Sequence, residues 1–327
     1  MTTYKGVVGT GILSYAGDIP NALEGQVWFN STAKDFRVLL VNPGSWATGG
    51  ALNQARQRVG GAGTQTAAIA YGGDGGPAGE VNSTELYNGT AWTEVNNLNN
   101  GRAGVAGAGT QTAAIAFGGY APPGDSDETE IWNGTNWTEV NDMNVSYADR
   151  MGFGTNTAAI ATGGQPPIAA LTEVWNGTNW TEVNDLNAAR YQGASSGTLY
   201  TAGLVFGGTG PPEATEIHNS TELWNGTNWT EVNNLGTARY SLGGDGTQTS
   251  ATAFGGKGAP GIIAVTETWN GTNWTEVGDL STATFKQGGA GANNTAALAF
   301  GGGTDPDTLV TTTEEFNSGP TVATLTS

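Results

Sequence analysis

The sequence predicts an all-β chain folded as a β-propeller. Three observations carry that expectation: a recurring tryptophan, a Gly-Gly pair interleaved with it, and a composition suited to short strands and tight turns. Trp46, Trp92, Trp137, Trp180, Trp229 and Trp274 are 46, 45, 43, 49 and 45 residues apart. A fixed period of roughly 40–50 residues is the mark of blades or solenoid units. Five of these positions read Trp-Thr-Glu-Val, and Trp46-Ala47-Thr48-Gly49 is a degenerate first copy. Between them, small apolar runs end at Gly72-Gly73, Gly118-Gly119, Gly163-Gly164, Gly207-Gly208, Gly255-Gly256 and Gly301-Gly302. The 54 Gly and 11 Trp fit many strands joined by tight turns, and no stretch keeps an apolar stripe at helical spacing.

One unit, Arg102 to Met143, holds four strand candidates in order. Gly104 to Gly109 is short and glycine-rich. Thr112 to Phe117 is small and apolar, as suits a strand pressed between neighbouring blades. After Gly118-Gly119 and a variable loop, Glu128 to Trp132 and Thr135 to Val140 flank Asn133-Gly134. Asn-Gly between two strands predicts a hairpin with a type I′ turn, which needs positive φ at both central residues. The same pair recurs at Asn88-Gly89, Asn176-Gly177, Asn225-Gly226 and Asn270-Gly271. Four antiparallel strands per unit make a propeller blade.

Arg, a strand ending in Gly-Gly, an aromatic-bearing strand and then a Trp strand: in this order the unit resembles the kelch repeat, which the central domain of galactose oxidase and the sialic-acid mutarotases share. The resemblance covers residues 46 to 327 and implies a kelch-like propeller of four-stranded blades. Six Trp and six Gly-Gly positions predict six blades, the alternative being seven. The ring-closing strand is expected from the Trp46 segment; if Thr321 to Thr326 closes the ring instead, Val27 to Val41 is free to build a partial seventh blade. Residues 1 to 45 are read as an N-terminal extension with a β-hairpin, of which 1 to 26 lie outside the ring on either reading. Glu24-Gly25-Gln26-Val27-Trp28-Phe29-Asn30-Ser31-Thr32 resembles a segment of bacteriophage tail-fibre and other virion proteins. That resemblance implies a fibre or appendage component that joins other virion proteins through residues 1–45.

A formal charge of −18 argues against nucleic acid and anionic membranes as partners, since phosphate binding relies on Lys and Arg. The opening residues lack the apolar core of a signal peptide, and no run approaches a membrane span. The expectation is a protein made in the host cytoplasm and destined for a virion, with no membrane insertion, and with an oligomer allowed. Without cysteine there is no disulfide, thiolate nucleophile or Cys-ligated zinc. Asn-x-Thr sequons such as Asn133-Gly134-Thr135 read as turn chemistry.

The periodic tryptophans read as inter-blade core, with sugar stacking the lesser alternative. Glu94, Glu139, Glu182, Glu231 and Glu276 fall on the outermost strand, where charge blocks edge-to-edge pairing. Arg56, Arg102, Arg190 and Arg239 each follow a blade Trp by ten residues, and Arg150 follows Trp137 by thirteen. These linkers enter the innermost strand near the central channel. Two readings stay open: each Arg bonds carbonyls or a carboxylate between blades, or together they form a ring of guanidinium forks for carboxylate-bearing sugars or an acidic partner. Tyr191 and Tyr240 directly follow two of these arginines and offer ring faces for stacking.

Catalysis finds little support. His218 is the sole histidine and sits in an insertion, Pro211 to Ser220, where a loop His is usually solvated. A galactose-oxidase copper site requires cysteine and two histidines, although a mutarotase-like set of Arg and carboxylates stays open. Asp125, Asp127 and Glu128, or Asp305 and Asp307, lack the spacing of a calcium loop. No cofactor and no metal is expected. The function expected is that of a non-enzymatic virion protein presenting a propeller to a host-surface glycan or protein; a bacterial carbohydrate-binding or sugar-modifying propeller is the alternative.

Overall fold

The computed structural model describes residues 12–211 and 216–325. Two compact units divide the chain: Met1–Gly44 with Ser318–Ser327, and Ser45–Asn317. The boundary near residue 45 falls where the repeat begins. The last ten residues, expected in the propeller, belong instead to the first unit. Every regular element among the described residues is a strand, apart from one 3-10 turn at Gly76–Ala78.

Five sheets of the second unit are four-stranded antiparallel blades. Blade one comprises Gly60–Thr64, Ala67–Tyr71, Thr84–Tyr87 and Trp92–Val95. Blade two comprises Ala106–Thr110, Ala113–Phe117, Thr129–Trp132 and Trp137–Glu139. Blades three, four and five repeat the plan, with inner strands Met151–Thr155, Ala194–Leu199 and Gly243–Thr247. The expectation of six four-stranded blades is therefore corrected to five. Besides four two-stranded ribbons, one further sheet among the described residues has six strands, in which Gly288–Asn293 and Ala296–Phe300 are followed by the long strands Thr313–Thr324 and Asp35–Thr48. Val27–Asn30 pairs antiparallel with Asp35–Val38 as a hairpin, and no seventh four-stranded blade is present among the described residues. The Trp46 strand does take the place expected of it, beside Thr313, whose carbonyl accepts the Gly49 N–H.

Inner strands follow one another in a closed circuit, Gly288–Asn293 packing against both Gly243–Thr247 and Gly60–Thr64. They surround a channel of about 190 Å³ lined largely by glycine, alanine and serine backbone. Glycine permits this convergence: a Cβ on Gly61 would lie 2.8 Å from the Gly289 carbonyl oxygen. Second strands such as Ala67–Tyr71 are almost entirely buried, alanines alternating with larger apolar side chains such as Ile69 and Tyr71.

Each periodic Trp is stitched to the preceding sheet. Trp92, Trp137, Trp180, Trp229, Trp274 and Trp46 donate Nε1–H to the hydroxyls of Thr313, Thr84, Thr129, Thr172, Thr221 and Thr266, at 2.9–3.3 Å. The Trp-Thr-Glu glutamates lie exposed on the outer strands. The hairpin turn differs from expectation. Only the glycine of each Asn-Gly pair has positive φ, and the corner is a four-residue loop between Trp132 and Trp137. The reason is local: Asn133 Oδ1 accepts the N–H groups of Thr135 and Asn136, an Asx turn that holds the asparagine at negative φ.

Asp245 faces the seam between blade five and the sixth sheet and is the one carboxylate among the described residues whose two oxygens are both buried without a hydrogen bond of good geometry. Burial pushes its pKa well above the carboxylate range, outweighing the nearby Thr252 hydroxyl and Leu298 amide. A folded state that holds this proton more tightly than the unfolded chain loses stability as pH rises above the unfolded value, by up to about 1.4 kcal/mol per unit. Asp245→Asn is therefore expected to stabilise the protein at neutral pH, the gain vanishing toward about pH 4. Melting temperatures of both proteins across that range check it; a gain independent of pH would mean the carboxyl stays charged.

Candidate functional site

The five arginines singled out by their spacing are buried, from 0% exposure at Arg56, Arg102, Arg190 and Arg239 to 6% at Arg150. Each meets a glutamate on the third strand of its blade: Arg56–Glu85 at 3.1 Å, Arg102–Glu130 at 2.9, Arg150–Glu173 at 2.9, Arg190–Glu222 at 2.7 and Arg239–Glu267 at 3.0 Å. Carbonyls take further donors, as Gly118 and Glu128 do from Arg102. The glutamates are bonded in turn: the Glu130 carboxylate accepts the Asn99 N–H, and that of Glu222 accepts both N–H groups of Asn187. Burial lowers the pKa of Arg56, Arg150 and Arg190, against the pull of their glutamates, and that of Arg239 to about 10. These guanidinium groups do not share an open mouth; each is tied to a carboxylate inside its own blade, rather than between blades as one of the two readings had it.

The partner glutamates were not picked out from the sequence, although their signal was present. Thr-Glu-x-aromatic recurs in every third strand, at Glu85, Glu130, Glu173, Glu222 and Glu267.

What the linkers bring to the channel mouth is the residue two places further on. In the series Arg56, Arg102, Tyr147, Arg190, Arg239 and Thr284, each carbonyl accepts an N–H from the Gly-Gly pair of the preceding sheet, from Gly302 to Arg56 onward. The next residue bridges to the segment after its own sheet's Gly-Gly pair, as Tyr191 does to Thr209 and Tyr240 to Lys257. The third residues are Arg58, Gly104, Asp149, Gln192, Ser241 and Lys286. All six take a left-handed conformation, with φ between 52° and 64°. Their backbones close a circuit: each N–H donates to the carbonyl of the preceding member, and that of Arg58 to Lys286, at 2.7–3.1 Å.

This collar rims a cavity of about 110 Å³ that adjoins the channel. Arg58 donates two parallel bonds to Asp149, at 3.0 and 2.9 Å. Gly104 lies between them in the circuit, and a Cβ there would meet Asp149 Oδ1 at 2.4 Å. Glycine thus leaves room for the pair to bridge across. Gln192 and Gln165 also donate to Asp149, and Ser241 donates to Gln192 at 3.0 Å. Burial lowers the Arg58 pKa, but Asp149 outweighs it and the net shift is upward. Lys286 is lowered, first by burial and then by the charge of Arg58.

Of the other candidates, Tyr191 is nearly buried and belongs to this neighbourhood; burial, Asp149 and Tyr240 together raise its pKa. Tyr240 is half-buried. His218 is also half-buried rather than solvated, its pKa lowered by burial and Arg190. Part of its insertion, residues 212–215, lies outside the described residues. The acidic runs at Asp125 and Asp305 form no cluster of three metal-ligating side chains among the described residues.

Strands, channel and polar rim together define a β-propeller with an asymmetric mouth. Among solved structures the chain is similar to the one titled "Structure of YjhT", with a TM-score of 0.69 and 14% identity, covering 84% of this chain and 99% of that one. At this identity the likeness concerns the fold. No protein-family model and no curated protein matches the sequence. The propeller is thus shown, while the kelch and phage resemblances rest on sequence motifs alone.

Proposed function

We propose that this chain is a non-enzymatic structural or adhesive component of a bacteriophage virion, a fibre, decoration or appendage protein whose propeller is displayed for contact with a host-surface glycan or protein. The observation that carries the reading is the distribution of exposed apolar surface. Ile12, Leu13, Tyr15, Leu23, Phe36 and Leu40 are 42–75% exposed, and all belong to the unit outside the propeller. Exposed apolar side chains concentrated in one unit, against Leu199 and Tyr200 in the propeller, support that unit as the contact element for other virion proteins. Deleting residues 1 to 26 is expected to leave a folded propeller that no longer joins its assembly. Mass spectrometry of purified particles, with circular dichroism of the truncated chain, tests this; an insoluble product would make the segment part of the fold.

A carbohydrate-binding or sugar-modifying propeller is the second reading, favoured by the polar collar. Against chemistry there, Asp149 is fully engaged by Arg58 and Gln192, and the sole histidine is not among the residues around the cavity. Turnover of a sialic-acid-like sugar by the purified protein would decide for the second reading.

A further inference from the structure

We propose that the collar is a binding site for a small hydroxy-carboxylate, such as a sugar acid, with Lys286 as its anion-recognition residue. The hydrogen bonds around the rim run in one direction: Ser241 donates to Gln192, Gln192 to Asp149, and Arg58 closes on Asp149 from the other side. Asp149 is the sink of this chain and is consumed by it. Lys286, between Ser241 and Arg58 in the circuit, has no carboxylate within ion-pair distance among the described residues, and its ammonium rests 4.7 Å from the centre of the Phe285 ring. Arg58 spends Nε and Nη2 on Asp149, leaving Nη1, and is about one-fifth exposed. Around the cavity, then, one arc is neutralised and the opposite arc offers an ammonium and a guanidinium edge.

Charge and size narrow the ligand. Within a chain of net charge −18, a monoanion is opposed less by the surrounding field than a dianion. A cavity of about 110 Å³ seats the carboxylate end of such a ligand, and the channel it adjoins takes the rest. Ser241 Oγ, having donated its proton to Gln192, keeps lone pairs that accept a ligand hydroxyl. Carboxylate on Lys286 and hydroxyl on Ser241 together specify a hydroxy acid. This site is independent of whether the chain is carried on a virion.

Isothermal titration of the full chain with sodium D-glucuronate, methyl glucoside and sodium sulfate tests the inference. Saturable binding of glucuronate, with neither of the others competing, is expected. Lys286→Met should weaken it at least about ten-fold, equivalent to about 1.4 kcal/mol. Ser241→Ala should lose a smaller factor, and Lys34→Asn, which removes a cation from the other unit, should leave it unchanged. Equal affinity in the parent and Lys286→Met overturns the proposal, as does absence of saturation in the parent. Preference for sulfate overturns the carboxylate assignment.

Discussion

Trp137→Ala is expected to lower stability by about 3–5 kcal/mol, read from the denaturant midpoint at unchanged slope. Trp137 is 6% exposed and holds the seam between blades one and two. Its ring meets Tyr71 edge-on at 5.1 Å and tilts against Trp132 at 5.5 Å. Its Nε1–H reaches across to the Thr84 hydroxyl at 3.0 Å. Alanine removes all of these contacts and leaves a cavity that strands on both sides are too constrained to fill. Trp137→Phe separates the contributions, keeping an aromatic body while leaving the Thr84 hydroxyl without its donor, at about 1–3 kcal/mol. Parent-like unfolding of the alanine variant would place this side chain outside the seam.

Glu130→Ala should be as costly, about 3–5 kcal/mol, because it strands a charge rather than opening a hole. Arg102 is wholly buried; Gly118 and Glu128 carbonyls would still accept from it, but its remaining carboxylate, Glu128, stands 3.6 Å away and is 30% exposed. The Asn99 N–H would also lose its acceptor. Arg102→Met/Glu130→Leu should recover much of the loss, since an apolar pair leaves no buried charge, although Asn99 remains unsatisfied. Denaturation of the three proteins at constant pH makes the comparison. A double variant as unstable as Glu130→Ala would show that the glutamate acts mainly through Asn99.

The blades were legible in the sequence because one strand, one Gly pair and one Trp repeat at matched intervals, and each has a single physical job. Gly301-Gly302 illustrates the point: its left-handed backbone presents an N–H to the Arg56 carbonyl where any Cβ on Gly301 would collide at 2.7 Å. The six-stranded sheet was legible only in part: the hairpin from Val27 could be read, but the run of Thr313–Thr324 as a single long strand lies outside the repeat and only pairing reveals it. For the arginines, position was readable and environment was not. Ten residues of spacing place Arg190 at the linker, yet whether it opens to the channel or turns toward Glu222 depends on a strand about thirty residues later. The collar left no trace, because Arg58, Gly104, Asp149, Gln192, Ser241 and Lys286 share no chemistry and five of them are not the glycine that a left-handed backbone suggests.

Holding a side chain in that conformation costs roughly 1–2 kcal/mol per residue relative to the right-handed one, and the rim does so five times. Its amides and carbonyls are spoken for by one another, so the frame owes nothing to the groups mounted on it. Such a rim behaves like a six-socket fitting. Exchanging Arg58, Gln192 or Lys286 alters what the mouth recognises while the circuit of main-chain bonds, and the sheets that hang from it, stay as they are. Recognition and architecture can therefore change at separate rates within one propeller.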